Sequence, residues 1–404
     1  MRHLGAVALG AMVVSAPVPT PAEEAPLTFQ SALDLALANN LDLAAARLGR
    51  AVRQAGVKTA GQHPNPDLVF ESTKDTPHQM LSLDIPFEPW KRSARIDLAR
   101  EELSLADVDD AAAVQALRRS VRMAFYGLLA ADEGASLATS MWEVAGRVRE
   151  VAQARFEEGA APRIDVMAAD LGLARARADL ELARSARLSA QAELNGVLNR
   201  PPTQPLAVAG DTAEGAPLPP VDKALARAAA ANAELRAAER EVAIEDRRLG
   251  LLKAERLPTP VFSVGAIFNA PGEFDVGYRA GLSLAVPVFD RNQGQIAGSL
   301  ARGNQARLRR DALRRSVEAR AFAAHARALA QRAQVAAYRA TLLPTATTIE
   351  SLAEEAYRLG RSPVLAVFEA QRTLRDTKVE YLSSLLSLQS ALADVEDVLG
   401  GPIE

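Results

Sequence analysis

Apolar and polar positions along the chain follow two different periods. Through most of the chain, apolar residues recur every three or four positions between Arg and Glu, as at Leu98, Leu103 and Leu105. This spacing predicts amphipathic α-helices. Alternation at every second residue is confined to short segments, which predicts strands. The pattern therefore predicts a mainly α chain that carries a small number of strands.

The same order of elements is predicted twice: a helix, a β-hairpin, a long helix, a tight turn and a further helix. Pro344 falls inside the second long helix, so we expect a kink or break there. Each long helix would span roughly 100 Å at 1.5 Å per residue. The two shorter helices of each half, placed end to end, have about the same length and can run antiparallel beside the long one. The helices preceding the hairpins are predicted from Thr28 to about Ala60 and from Val221 to about Leu257, and the long helices over 91–158 and 292–359.

An internal repeat explains this doubling. The stretch 355–402 aligns with 154–201 without a gap, and each copy contains a Gly-x-x-Pro turn, at 159–162 and at 360–363. Glycine favours the end of a helix, and proline favours the start of the next one. We therefore interpret the chain as a tandem duplication of a helical hairpin unit.

The strand segments form two predicted hairpins, over 67–86 and 260–287. In both, an apolar face alternates with a small and polar face, which is typical of transmembrane barrel strands. A soluble hairpin capping a helical bundle would show the same alternation. Four strands cannot close a barrel, since about eight are the minimum, so a barrel requires several chains. The residues predicted to face lipid are Leu81, Leu83, Ile85, Phe262, Val264, Phe268, Tyr278, Leu282, Leu284 and Val286.

The chain ends and the segment between the halves suggest the domain organisation. A short basic start followed by an apolar run and small residues predicts a signal peptide over 1–22. No later stretch reaches 18 consecutive apolar residues, so any membrane insertion would be by strands. A Pro/Gly-rich segment, 203–220, predicts a linker outside the bundle. The two repeats would then occupy 23–202 and 221–404.

Composition argues against several classes of function. The formal net charge is −3, which gives no electrostatic attraction for nucleic acid. Cysteine is absent and the four histidines show no metal-ligand spacing. Phosphate-binding glycine motifs are absent, and the Glu pairs lack an accompanying nucleophile or base. We therefore predict no enzyme, no cofactor and no metal site.

The order of elements and the motifs at the tight turns resemble those of the TolC family of outer-membrane efflux proteins, over essentially all of 28–402. The first hairpin is similar to that of the heavy-metal cation efflux branch. The motifs that carry the resemblance are Phe156-x-x-Gly159 with Ile164-Asp-Val166, Tyr357-Arg-Leu-Gly360, and the hairpin segments Pro64–Glu71 and Leu81–Pro86.

This resemblance implies a fold, a location and partners. The fold is a long antiparallel coiled-coil helical barrel with two tandem repeats per chain, each adding one β-hairpin to a 12-stranded barrel in a homotrimer. The trimer would sit in outer-membrane lipid with its helical tunnel in the periplasm. It would act as the passive exit duct of a tripartite efflux pump, with metal cations among the implied substrates. Its partners would be a periplasmic adaptor (membrane fusion) protein and an inner-membrane pump of the resistance-nodulation-division type.

Residue roles carry over from the family only at the helical tip, the end of the rod that holds the two Gly-x-x-Pro turns. Asp165 and Tyr357 match gate positions, and Arg361 lies one position from where some members carry a tip arginine. Ala366 stands where the second repeat would carry the equivalent carboxylate. Asp165 has a second explanation, because a carboxylate in the first turn of a helix is favoured by the helix dipole. The positions implied for adaptor docking are Phe156, Gly159, Arg358, Leu359 and Gly360.

A different class of function remains open at this point. An exported periplasmic coiled-coil scaffold without a pore would show the same helices, with the hairpins as soluble caps. The apolar hairpin face discriminates between the two, since it must meet lipid only in a channel.

Overall fold

The computed structural model describes residues 26–211, 215, 217–272 and 274–403. The predicted signal peptide lies outside these residues. Long helices dominate, and a four-stranded antiparallel sheet lies between the helices in chain order. The elements are α1 (Phe29–Asn39), α2 (Leu41–Ala60), β1 (Asp67–Ser72), β2 (Gln79–Pro86), α3 (Pro89–Glu157), α4 (Arg163–Val197), α5 (Val221–Ala231), α6 (Ala233–Glu255), β3 (Pro260–Ala270), β4 (Phe274–Leu284), α7 (Gln293–Ala337), a π-helical segment (Tyr338–Leu342), α8 (Leu343–Arg358) and α9 (Val364–Leu399).

The helix preceding each hairpin is split in two, so the prediction of one continuous helix was wrong in both halves. Asn40 separates α1 from α2, and its Oδ1 accepts a hydrogen bond from the Leu43 N–H at 3.0 Å. Its Nδ2 donates to the carbonyl of Val197 at 3.1 Å. Asn232 does the same between α5 and α6, bonding Leu235 at 3.0 Å and Val398 at 3.2 Å. A helical period continues through the break, because the asparagine supplies a new N-cap without disturbing the apolar face.

The long helices of the two halves differ. α3 runs through 69 residues without interruption. Its counterpart is interrupted by the π-helical segment 338–342, and Pro344 falls in the first turn of α8. The interruption was expected at this proline, whose ring removes one backbone donor and crowds the preceding turn. The π-helical turn is how the chain accommodates it without ending the helix.

The sheet joins the two halves through its central strands. Its order is β1-β2-β3-β4, with every neighbouring pair antiparallel, and β2 pairs with β3 across the halves. Gly265 lies opposite Ser82, where an added Cβ would be 2.5 Å from the Leu81 carbonyl oxygen.

The strand prediction was wrong at Val286. β4 ends at Leu284 because its partner strand β3 begins opposite it and offers no further backbone partners.

Helices pack side by side on both sides of the molecule's middle. On the side of the sheet, α2 contacts α3, α3 contacts α6, and α6 contacts α7. On the side of the tip, α4 contacts α3, α3 contacts α9, and α9 contacts α8. Separate apolar clusters bury residues of the first half, of the second half and of the tip. The linker lies against the bundle, with Leu206 buried and Val208 bridged to Leu27.

A buried polar network ties α3 to α9. The Arg122 guanidinium donates to Glu396 Oε1 at 2.8 Å and to Gln389 Oε1 at 2.9 Å, and it also lies over the ring of Phe29 at 4.9 Å. Arg118 approaches the other carboxylate oxygen of Glu396 at 3.7 Å. Since α3 and α9 belong to different repeats, this network connects the two halves far from both sheet and tip.

Hydropathy along the helices gives a further result. Among the helices of the described residues, none combines the length and the apolar character that crossing a membrane would require.

Candidate functional site

The sheet has one apolar face, and the strand register defines its members. Phe262 lies between Ile85 and Leu282, and Val264 lies opposite Leu83. Apart from Val286, every residue predicted to face lipid belongs to this face. Large side chains such as Tyr278, which is 90% exposed, project from it without a covering layer in the single chain. The register adds Leu68, Phe70, Val276 and Ala280 to the predicted set.

Small and polar residues predominate on the opposite face of the sheet, which also carries Val69, Met80 and Ile267. Ser82, Gly265 and Arg279 lie side by side across β2, β3 and β4. Asp67 and Asp84 oppose each other on β1 and β2. A sheet with one mainly apolar and one mainly polar face separates two different environments.

The sheet of the single chain has two open edges, which are formed by different strands. Among the described strands, β1 and β4 each pair on one side only. Open strand edges present unpaired backbone groups. The helices at the same edges carry exposed apolar stripes, which lie on α2 and α4 at one edge and on α7 and α8 at the other. The stripe residues are Leu41, Leu48, Val52, Ile164, Met167 and Leu171 on the first edge, and Leu308, Phe322, Leu329, Ile349 and Leu352 on the second.

The tip is formed by two turns of the same geometry. Gly159 and Gly360 have φ values of 74° and 72°, which is the left-handed region that glycine adopts at helix ends. Each glycine N–H donates to the carbonyl three residues earlier at 2.9 Å. Pro162 and Pro363 then precede α4 and α9 in extended conformation. The predicted turns 159–162 and 360–363 therefore form the two ends of the tip. The residues predicted for adaptor docking, Phe156, Gly159, Arg358, Leu359 and Gly360, are all exposed on it.

Tyr357 is the buried centre of the tip. Its side chain is 2% exposed and packs in the apolar cluster with Val148, Val166 and Val367 from α3, α4 and α9. The hydroxyl is buried and has no hydrogen-bond partner among the described residues. Burial raises the pKa of this hydroxyl; Arg155 opposes the rise, and the charge of Asp165 adds to it. Tyr357 therefore stays neutral, and its ring rather than its hydroxyl makes the contacts.

The predicted gate residues are not joined to each other within one chain. Asp165 is half-buried in the first turn of α4, and Arg361 is exposed. Within the described part of the chain, no ion pair or hydrogen bond connects Asp165 with Arg361 or with Tyr357. The charged side chain that contacts Tyr357 is that of Arg155, which the sequence did not indicate. The two residues are 202 positions apart, so no local pattern could have indicated the contact.

Metal ligation is not supported by the described side chains, which contain no cluster of three or more His, Asp or Glu residues suited to a metal ion. His325 is buried, and its Nε2 is 2.8 Å from the carbonyl oxygen of Pro219. This contact gives His325 a structural role beside the linker.

Comparison with known proteins supports the resemblance to outer-membrane efflux proteins that the sequence indicated. The family described as "Outer membrane efflux protein" matches residues 32–200. The cobalt-zinc-cadmium resistance protein CzcC of Cupriavidus metallidurans is 30% identical over 397 residues, covering 93% of this chain and 90% of that protein.

Solved structures share the fold at lower identity. A structure of CusC, whose title refers to transmembrane channel formation, has a TM-score of 0.77 at 15% identity and covers 92% of both chains. The outer membrane protein VceC from Vibrio cholerae has a TM-score of 0.74 at 16% identity, covering 93% of this chain and 97% of VceC. These matches confirm the predicted TolC-like fold class with its two repeats. The family comprises efflux channels and not enzymes, and the chain belongs to the outer membrane efflux protein family.

Proposed function

We propose that the chain forms a homotrimeric duct in the outer membrane, through which a tripartite efflux pump passively releases its substrates. The observation that carries the proposal is the two-faced sheet. Its apolar face, including Tyr278 and Leu282, would meet lipid, and its polar face, including Ser82 and Arg279, would line a wet lumen. Such a division is required in a membrane barrel and has no use in a hairpin surrounded by water.

The open edges support a ring of several copies. Because the β1 edge and the β4 edge are different surfaces, copies would join head to tail, and such a contact closes into a ring when the rotation allows it. Two copies would supply eight strands, whose interior is just filled by side chains. Three copies would supply twelve and leave an open lumen. Three is therefore the smallest number that forms a duct.

The helical edges support the same arrangement below the sheet. The stripe on α4, with Ile164, Met167 and Leu171, would pack against the stripe on α8 of the next copy, with Ile349 and Leu352. Apolar residues at three- and four-residue spacing are typical of coiled-coil seams between helices. Closing these seams would bury the exposed apolar side chains of both edges and continue the barrel as a helical tunnel.

The partners follow from the proposed duct. A passive tube requires an energy source elsewhere, so we propose an inner-membrane pump of the resistance-nodulation-division type and a periplasmic adaptor docked at the exposed tip. Similarity to the cobalt-zinc-cadmium resistance protein favours divalent metal cations as cargo. Asp165, Tyr357 and Arg361 would narrow the tip, with Asp165 and Arg361 free to pair across neighbouring copies.

The test combines the mass of the purified assembly with its conductance in a planar lipid bilayer. We expect a trimer with discrete channels. Leu282→Asp should impair insertion, because it would place a charge on the lipid face of the sheet in every copy. Ser283→Asp, one position along on the polar face, is the matched control and should insert normally.

The competing function, an exported scaffold without a pore, predicts different results. A water-soluble monomer or dimer without conductance would refute the duct. Equal behaviour of Leu282→Asp and Ser283→Asp would likewise show that neither face of the sheet meets lipid.

A further inference from the structure

The connection between β4 and α7 carries apolar side chains that the single chain leaves uncovered. Val286 is 65% exposed, Val288 57% and Phe289 92%. Leu257, which follows the end of α6, is 49% exposed. We call these four residues the junction patch. They lie outside the strands, so the alternation between the two sheet faces does not account for them, and grouped exposed apolar side chains mark an interaction site.

The junction patch lies at the edge of the sheet that meets the helices. Pro260 at the start of β3 lies opposite Leu284 at the end of β4. Just beyond this edge, Asn292 donates its Nδ2 to the Leu252 carbonyl of α6 at 3.4 Å. The connection is thereby held between the end of β4 and the end of α6. The patch continues the apolar face of the sheet toward the helices.

The equivalent connection of the first repeat is fastened to the sheet. Phe87 stands there at the position of Val288. Its N–H donates to the Pro260 carbonyl at 2.9 Å. Its ring packs edge to face against Trp90 and Phe262, with 6.2 Å between ring centroids in each pair. The second connection has no equivalent contacts among the described residues, so packing within the chain does not explain its apolar side chains.

Basic residues predominate around this edge. Four segments meet there, 57–66, 86–95, 253–260 and 285–295, and together they contain seven lysines and arginines but only three carboxylates. The whole chain, in contrast, has a formal net charge of −3. Basic residues gathered beside a lipid-facing surface attract the headgroups of anionic lipids. The local charge therefore favours a negatively charged partner at the junction.

Three of these cations are available next to the junction patch. Lys253, Arg256 and Arg291 are exposed, and none of them forms an ion pair within the described part of the chain. Arg291 donates its Nε to the Val288 carbonyl at 3.3 Å, which holds its guanidinium beside the patch. A guanidinium can donate two parallel hydrogen bonds to one phosphate group. Apolar side chains and phosphate donors thus lie together.

We infer that the junction patch and these three cations form a binding site for an anionic phospholipid of the leaflet nearest the helices. Val286, Val288 and Phe289 insert at the boundary between headgroups and acyl chains, where amphipathic contacts are favourable. Arg256 and Arg291 donate to the headgroup phosphate. The inference rests on the proposed function, because it requires the apolar face of the sheet to lie in lipid.

A neighbouring copy is the other candidate to cover the junction patch. In the proposed ring, β1 of that copy would add beside β4 in the plane of the sheet. Side chains of a strand stand roughly perpendicular to that plane. Ring closure would therefore pair backbone groups and leave the patch facing lipid.

The experiment measures the fluorescence of one tryptophan in the assembled protein, reconstituted into bilayers that contain brominated phospholipids, which quench tryptophan on contact. The two native tryptophans, Trp90 and Trp142, are replaced by phenylalanine, and Phe289→Trp supplies the reporter. Tyr278→Trp reports from the apolar face of the sheet. Leu359→Trp, at the exposed tip, is the control that should not meet lipid.

Phe289→Trp should be quenched most strongly by lipids brominated near the headgroup, and Tyr278→Trp by lipids brominated deeper in the acyl chains. Leu359→Trp should not be quenched. If Tyr278→Trp is quenched and Phe289→Trp is not, the patch is covered by protein or lies in water, and the inference is overturned while the proposed duct stands. If Tyr278→Trp also escapes quenching, the proposed duct itself is refuted.

Headgroup preference is measured with the Phe289→Trp reporter in bilayers of one fixed composition, in which either phosphatidylglycerol or phosphatidylcholine carries the bromine. Quenching should show a several-fold preference for phosphatidylglycerol. Combining Arg256→Gln with Arg291→Gln should abolish this preference. Equal quenching by the two lipids in the unsubstituted reporter, or a preference that survives the double substitution, would refute the headgroup site.

A matched double substitution separates the local site from a general loss of positive charge. Arg302 and Arg307 lie on α7 and pair with Glu245 and Asp246 of α6, away from the junction. Arg302→Gln with Arg307→Gln removes the same charge and should leave the preference for phosphatidylglycerol unchanged. An equal loss of preference in both double variants would contradict a site at the junction patch.

Discussion

Glu396 neutralises a buried arginine, and its replacement by glutamine should destabilise the protein far more than an equivalent change at the surface. In Glu396→Gln the Arg122 charge, whose side chain is 9% exposed, loses the carboxylate that it contacts at 2.8 Å. Breaking a buried pair while leaving one charge behind costs about 3–5 kcal/mol. The pair between Arg119 and Asp394 joins the same two helices, but its side chains are 41% and 29% exposed. An exposed pair contributes about 0–1 kcal/mol.

The assay is thermal unfolding of the detergent-solubilised protein followed by circular dichroism at one fixed scan rate, since unfolding of such assemblies is often irreversible. With an unfolding entropy near 2.1 cal/mol/K per residue, a chain of this size shifts its Tm by roughly 1.2 °C per kcal/mol. Glu396→Gln should therefore lower Tm by about 4–6 °C, and Asp394→Asn by about 1 °C or less. Equal shifts for the two variants would refute the view that this network holds the two repeats together.

Two further predictions concern the sheet and α8. Gly265→Val should separate β2 from β3, because the added side chain would collide with the Leu81 carbonyl, and the yield of the assembled protein should fall sharply. Gly281→Val is the control and should assemble, because an added Cβ there has ordinary contact distances. Equal yields of the two variants would contradict the prediction. Burial raises the pKa of Glu350, and the Glu354 carboxylate adds to the rise, so ionisation of Glu350 opposes folding above that raised pKa. Glu350→Gln should increase Tm at pH 7, and the increase should disappear below the ordinary Glu pKa of 4.5. An increase in Tm that is the same at pH 7 and at pH 4 would show that ionisation of Glu350 is not its cause.

The sequence was most informative where structure depends on local period and on duplication. Alternation along the strands predicted the membership of the apolar sheet face, because side chains of a strand must alternate between two faces. The repeat offset predicted both tip turns, since glycine and proline act on the backbone next to them. It was misleading at Asn40 and Asn232, where the apolar pattern continues across a break that one capping side chain creates.

Contacts between distant positions could not be predicted from one sequence. Arg155 and Arg122 each looked like one of many arginines on helices rich in charge. What distinguishes them is burial against the other repeat, which depends on how the halves pack. The end of β4 before Val286 likewise depends on where its partner strand begins.

The unlike open edges also bear on the life of the chain before assembly. If the chain forms the proposed duct, a copy that has not yet assembled exposes the unpaired backbone of β1 and β4 together with the apolar stripes of its outer helices. Such surfaces bind one another without regard to which copy supplies them, so they favour chain-like aggregation as readily as ring closure. The described residues contain no element that covers either edge. In the proposed duct, the concentration of unassembled copies should therefore limit the yield of the protein, and holding chaperones and rapid ring closure should matter more to it than the stability of the individual fold.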